Sequence, residues 1–188
     1  GNAKVYAKRL KQEFEGVGYR VQVFLLNAAS MGVPQKRERV FFVGLRKDIK
    51  RPLLKLRFNE PGILYLEYKD LVGAAITSKS MCRLIKSMIP SDKSISDINK
   101  RLFNKISGFK NMIIKDRKIF PTILAGGEYY RQSDKLLCTT RDVALASTFP
   151  MDYSYLKTKP GYLVGMSVPP VMIAQIASKI KEQWFDYA

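Results

Sequence analysis

Two arginines one residue apart, Arg37 and Arg39, follow Gln35 in the run Gly32-Val33-Pro34-Gln35-Lys36-Arg37-Glu38-Arg39-Val40-Phe41-Phe42-Val43-Gly44. Alternate side chains of an extended segment share a face, so the two guanidinium groups are expected to serve one shared target. A permanent cation with a planar fork of donors suits phosphate oxygens or the carbonyl oxygen of a base, and it keeps its charge when partly desolvated. Elsewhere the available chemistry is narrower. The absence of histidine excludes Ser-His and Cys-His nucleophile pairs and His-ligated zinc within the chain. Two cysteines, Cys82 and Cys138, cannot build a disulfide framework or a four-ligand zinc site. They fit a reducing cytoplasm, and no metal is expected.

A chain of 188 residues with 46% apolar content can close one sizeable core or two small ones. Thirty-three Lys and Arg against sixteen Asp and Glu give a formal charge of +17, which strains a compact fold by self-repulsion unless a polyanion lies against it. Nucleic acid is the leading partner. Anionic membrane competes, but neither a lipidation signal nor a basic amphipathic helix is evident, and no apolar run is read as long enough to span a bilayer. The first residue is Gly1 and no signal peptide follows, so the chain reads as a trimmed piece of an intracellular protein.

The elements that must position these arginines follow from periodicity. From Ala3, apolar residues at Tyr6, Leu10, Phe14 and Val17 predict a helix that Gly16 and Gly18 end. Arg20 to Leu26 and Arg39 to Leu45 are rich in Val, Phe and Leu and predict two buried strands flanking the loop 27–38. Pro169 and Pro170 precede Ile173, Ile176, Ala177, Ile180 and Trp184, a one-sided stripe on a closing helix. In the weaker middle, 91–105 is expected to be a basic helix and 120–130 a strand or hairpin broken by Gly126 and Gly127. Thr139 followed by Asp142 has the capping-box spacing of a short helix that ends before Pro150.

Set between Gly18-Tyr19-Arg20-Val21, Leu26-Asn27-Ala28 and a following strand, the Val33-to-Arg39 run resembles the Val-Pro-Gln-x-Arg-x-Arg element of the DNA cytosine-5 methyltransferases. Three further segments resemble that family in the same order. Pro121-Thr122-Ile123 leading to Gly126-Gly127 is similar to its target-recognition lobe, and Tyr129, Tyr130 and Arg131 follow. Thr139-Thr140-Arg141-Asp142, ending in Phe149-Pro150, is similar to its Thr-x-Arg-Glu helix, with Cys138, Leu145, Ser147 and Thr148 departing from the usual residues. Gly165-Met166-Ser167-Val168-Pro169-Pro170 resembles the final motif, with Met166 where asparagine is usual.

The resemblance implies a partial doubly wound, Rossmann-like α/β domain in two pieces, 1–50 and 161–188, around a small mixed target-recognition lobe, 51–160. It implies the carboxy-terminal portion of the enzyme, which binds S-adenosylmethionine and double-stranded DNA and methylates C5 of a flipped-out cytosine. Arg39 would contact cytosine O2 and stabilise the charge that develops when a thiolate adds to C6, and Arg37 would act beside it. Gln35, Arg37, Thr122, Gly126, Gly127, Arg131 and Arg141 would contact or organise DNA, with Ser167 and Val168 on the cofactor pocket. The family's Pro-Cys nucleophile, its Glu-Asn-Val motif and its glycine-containing cofactor motif do not occur here, so an upstream half is an expected partner and the chain alone is expected to be inactive. The expected setting is cytoplasmic, in a prokaryote or phage. A non-catalytic basic DNA-binding module of the same ancestry and part of an RNA cytosine-5 methyltransferase are the alternative readings.

Overall fold

The computed structural model describes residues 2–186. Helix α1 (Asn2–Gly16) carries the ion pairs Arg9–Glu13 and Lys11–Glu15 at helical spacing. Both pairs are solvated, so each contributes only a few tenths of a kcal/mol. Gly18, at φ 96°, turns the chain into strand β1 (Tyr19–Asn27), which pairs antiparallel with β2 (Glu38–Arg46) in the register Tyr19↔Arg46 to Asn27↔Glu38.

Two buried strands are expected, and the structure differs. Among the described residues β1 and β2 pair only with each other, and Val23, Leu25 and Val40 are 43%, 67% and 50% exposed. One face of the hairpin packs Phe24, Leu26, Phe41, Val43 and Leu45 into a core. The other face meets only α1, through Phe14 set edge-on to Tyr19, and Leu10 and Tyr6 remain exposed. A two-stranded ladder with one covered face cannot bury alternate residues on both sides.

The covered face packs on helix α6 (Pro170–Ile180) and the π-helical turn that continues it to Phe185, through Met172, Ile176 and Trp184. The segment 51–58 straps onto this core as well, beyond the boundary expected at residue 50. The Gln22 amide donates to the Leu54 carbonyl at 3.0 Å and accepts its N–H at 2.8 Å, and Leu54 and Leu56 are buried there.

Residues 65–164 fill two further cores. The expected basic helix is α3 (Ile95–Phe103), started by a Ser94–Asp97 capping box, and it packs with α2 (Lys79–Lys86), a helix the periodicity does not anticipate. Strand β3 (Met112–Ile114) pairs in parallel with β4 (Tyr129–Arg131). Of the strand or hairpin expected over 120–130, the described residues form a strand only after the glycines, at the start of β4. The first half of that stretch runs irregularly because the Tyr129 hydroxyl takes the Leu124 backbone, at 2.6 Å from its N–H. Helix α4 (Thr140–Ala146) starts at the anticipated Thr139–Asp142 box, and α5 (Pro160–Met166), a helix the periodicity does not anticipate, ends inside the final motif.

The stretch Pro160–Phe185 has the length and mean hydropathy, 1.4, of a membrane span, which the sequence reading does not anticipate. Its extended break at Ser167 separates α5 from α6, whose buried Val164 and Met172 enter different cores.

Candidate functional site

The loop between β1 and β2 is rigid for local reasons. Asn27 accepts the Ala29 N–H at 3.1 Å through its side chain, Ser30 Oγ donates back to the Asn27 carbonyl, and Ala28, Met31 and Val33 are fully buried. From this anchor the chain crosses to the lobe. Lys36 N–H donates to the Phe120 carbonyl at 2.8 Å, and Thr122 Oγ1 donates to the Lys36 carbonyl at 2.6 Å.

Gln35 and Arg37 close the junction. Gln35, fully buried, donates through Nε2 to Ser147 Oγ at 2.6 Å and accepts the Ile123 N–H at 3.2 Å. Arg37, 1% exposed, donates to the carbonyls of Ile123 at 3.0 Å, Gly165 at 2.9 Å and Ser167 at 2.7 Å. All four family-like segments thus meet at one seam. Burial, and then the charge of Arg39, lower the Arg37 guanidinium to about 10, so it stays protonated at neutral pH.

The two arginines, expected to serve one shared target, have different surroundings. Arg37 is spent on protein carbonyls, while Arg39 is half-buried at the rim and makes one bond, from Nη1 to the Glu38 carbonyl. Gln35, expected at DNA, is likewise an internal clasp. So is Arg131, whose guanidinium is fully buried against Asp142 at 2.6 Å, with the outer Asp134 at 3.4 Å. Desolvation opposes that charge, but the hydrogen bond and attraction of Asp142 outweigh it and raise the Arg131 pKa. A side chain with no exposed surface has no face to offer a base or phosphate.

The remaining expected positions divide. Gly126 is exposed at φ 75° with open space where a Cβ would stand. At Gly127 a Cβ would lie 2.6 Å from the Lys110 carbonyl oxygen, so the missing side chain serves packing inside the lobe. Thr122 spends its hydroxyl on the seam, and Arg141 is exposed on the first turn of α4. Ser167 donates its hydroxyl to Leu163 and its N–H to the Val164 carbonyl, while Val168 packs against the hairpin core. Toward a cofactor these residues fit one wall, apolar at Val168 with one acceptor at Ser167 Oγ, rather than an enclosing pocket. Gly165 permits the close approach behind them, since a Cβ there would stand 2.5 Å from the Ala125 nitrogen.

Sequence reasoning missed Ser147 and Asp142 as the partners of Gln35 and Arg131. Ser147 carried no signal, because it stands where the family pattern departs. Asp142 did, through its cap spacing, but a cap residue does not announce a second role. Cys138 lies within 3.5 Å of the Tyr65 hydroxyl, and burial pushes its thiol up to about 12. The thiolate, the reactive form, is therefore scarce at pH 8. We expect iodoacetamide at pH 8 to leave Cys138 unmodified in the folded protein and to alkylate it in urea, read by peptide mass spectrometry; rapid native alkylation would refute the burial.

The arrangement has counterparts. Residues 2–182 match the family model of the C-5 cytosine-specific DNA methylases, and the chain belongs to that family. It is 57% identical over 216 aligned positions to the Type II methyltransferase M.FnuDI of Fusobacterium nucleatum, covering 95% of this chain and 60% of that protein. It is 27% identical over 205 positions to the Type II methyltransferase M.MthTI of Methanothermobacter thermautotrophicus, covering 93% of this chain and again 60% of the relative. In fold it is similar to a putative DNA modification methyltransferase encoded within a prophage of E. coli, with TM-score 0.63 and 17% identity over 95% of this chain and 65% of that one. The chain thus spans about 60% of the length of the two curated relatives named.

Proposed function

We propose that this chain is the DNA-reading and closing portion of a cytosine-5 DNA methyltransferase, working with a further part that carries the nucleophile and most of the S-adenosylmethionine pocket. The supporting observation is the seam: Gln35 and Arg37 bind the β1–β2 loop to the lobe and to the α5–α6 junction, which leaves Arg39 as the loop's half-buried cation at the rim. In this reading Arg39 meets O2 of an extruded cytosine and opposes the negative charge that grows there when a thiolate adds to C6. Gln35, Arg37 and Arg131 are positioning residues. The outward candidates for DNA are Gly126 and Arg141, with Lys36 exposed beside the seam.

S-adenosylmethionine supplies an electrophilic methyl group when bound, and Ser167 and Val168 would form one wall of its site. The complementing part would cover the uncovered apolar surface between α1 and β2, a groove of about 690 Å³ lined by Tyr6, Leu10, Val40 and Phe42 among others. The Fusobacterium and Methanothermobacter relatives are in line with a prokaryotic or phage setting.

The test is to combine the chain with an upstream half from such a relative and follow labelled methyl transfer to duplex DNA. Arg39→Ala is expected to lower the rate on the order of 10²-fold, as loss of one charge-stabilising group does, while changing unfolding free energy by less than about 0.5 kcal/mol. Absence of transfer in every folded pairing, with salt-steep DNA binding retained, would leave a basic binding module instead.

A further inference from the structure

Strand β2 has an open edge. Its ladder with β1 uses the backbone groups of its odd-numbered residues, a phase set by the bonds that continue the ladder at either end, from the Ala28 N–H to the Arg37 carbonyl and from the Lys47 N–H to the Gly18 carbonyl. The backbone groups of Val40, Phe42 and Gly44 therefore point away from β1, and among the described residues nothing takes them up. The side chains of these even-numbered residues share the face that the hairpin core leaves uncovered. Val40 is 50% exposed there, and with Phe42, Tyr6 and Leu10 it lines the groove of about 690 Å³ beside α1. Proteins usually block such an edge with a lysine, a proline or a bulge. From Val40 to Gly44, β2 has none of these.

The strand is instead complementary to itself. Two copies paired antiparallel about a dyad at Phe42 set Phe42 opposite Phe42, Val40 opposite Gly44 and Glu38 opposite Arg46. Only outward-pointing backbone groups then meet, and the three inner pairs exchange about six hydrogen bonds. Glu38 is exposed and has no ion pair among the described residues, and Arg46 is exposed with Asp48 as its solvated partner. A shift of two residues in either direction sets Glu38 opposite Asp48, or Lys36 opposite Arg46, like charge against like. The register is thus chosen by charge as well as by length. We propose that in the chain on its own this edge takes a second copy of the chain, forming a symmetric dimer through a β2–β2 ladder, whether or not the methyltransferase reading holds. A dyad normal to the sheet joins the two grooves into one trough with Tyr6 and Leu10 on both walls. A second copy and the complementing part proposed above need the same edge, so the dimer holds the chain out of that assembly until the other part displaces a copy.

Sedimentation equilibrium of the full chain, freed of nucleic acid, is the measurement. About 0.3 M salt screens the formal charge of +17 on each copy, and a reversible monomer–dimer equilibrium is expected there. Glu38→Arg or Arg46→Glu alone should raise the dissociation constant about tenfold, since each sets like charges opposite one another at both ends of the ladder. The two changes together should return it to within about threefold of the parent, because the pair re-forms with its charges exchanged. Both positions are exposed, so far-ultraviolet circular dichroism and the urea midpoint should stay those of the parent. Phe42→Lys, which faces two ammonium groups across the dyad, should leave only monomer. A chain that stays monomeric at every concentration overturns the proposal. So does a dimer that the single charge reversals leave unchanged, or one that the double reversal fails to restore.

Discussion

Arg37→Ala is expected to lower the unfolding free energy by about 3 to 5 kcal/mol, while Arg39→Ala two positions away leaves it nearly unchanged. The difference follows from partners. Removing Arg37 strands three carbonyls, those of Ile123, Gly165 and Ser167, at a seam where the side chain has 1% exposure. An unsatisfied buried polar group costs about 1 to 3 kcal/mol. Against this, alanine relieves the burial of a charge that has no carboxylate partner among the described residues, a burial that also lowers the Arg37 pKa. The loss should therefore fall short of the sum over three bonds.

Arg37→Lys should recover only a small part, because one ammonium nitrogen cannot reach acceptors that Nη1 and Nη2 divide between them. Urea unfolding followed at Trp184 in the hairpin core and by far-ultraviolet circular dichroism is the measurement. The two signals should part in the variant, since the seam joins cores that otherwise have separate side-chain clusters. An Arg37→Ala protein as stable as the parent would show that the guanidinium points to solvent or ligand, and the clasp would be refuted.

The two arginines also mark where sequence reasoning stops. Alternation in an extended run predicts one side of the chain for both, and the influence of the Arg39 charge on Arg37 reflects their proximity. What differs is reach. The acceptors of Arg37 lie 86, 128 and 130 residues away, and no local pattern encodes a carbonyl that far along the chain. Local signals succeeded where the physics is local: the Thr139–Asp142 box opens α4, the apolar spacing within 91–105 gives α3, and the proline pair opens α6. Helix α5 stayed hidden because Gly161 and Gly165 weaken its propensity, although Gly165 is what lets it lie against Leu124 and Ala125. The strands were legible as strands, but their burial depends on what covers the second face of the hairpin, which is a property of neighbours.

Asp142→Asn is expected to cost about 3 to 5 kcal/mol, because it leaves the Arg131 guanidinium buried with only the distant and partly solvated Asp134. Asparagine keeps the size of the side chain but only one oxygen, so of the Asp70 N–H on Oδ1 and the Thr139 N–H on Oδ2 one loses its acceptor, and the penalty combines the lost charge with part of the cap. Arg131→Met in the wild-type background should also destabilise, by leaving a fully buried carboxylate. Combined with Asp142→Asn it should cost less than the two single effects added, with a coupling of about 2 kcal/mol, because neither charge then remains unpaired. Strict additivity in that double-mutant cycle would show that the pair does not act as a unit. The consequence reaches the candidate site through α4: the Arg131–Asp142 pair fixes its first turn, and the Gln35 bond to Ser147 fixes its last. Loosening the first turn should therefore lower DNA affinity even though Arg131 has no surface to touch DNA. A conservative variant that restores the ion pair, Asp142→Glu, should recover part of both stability and binding.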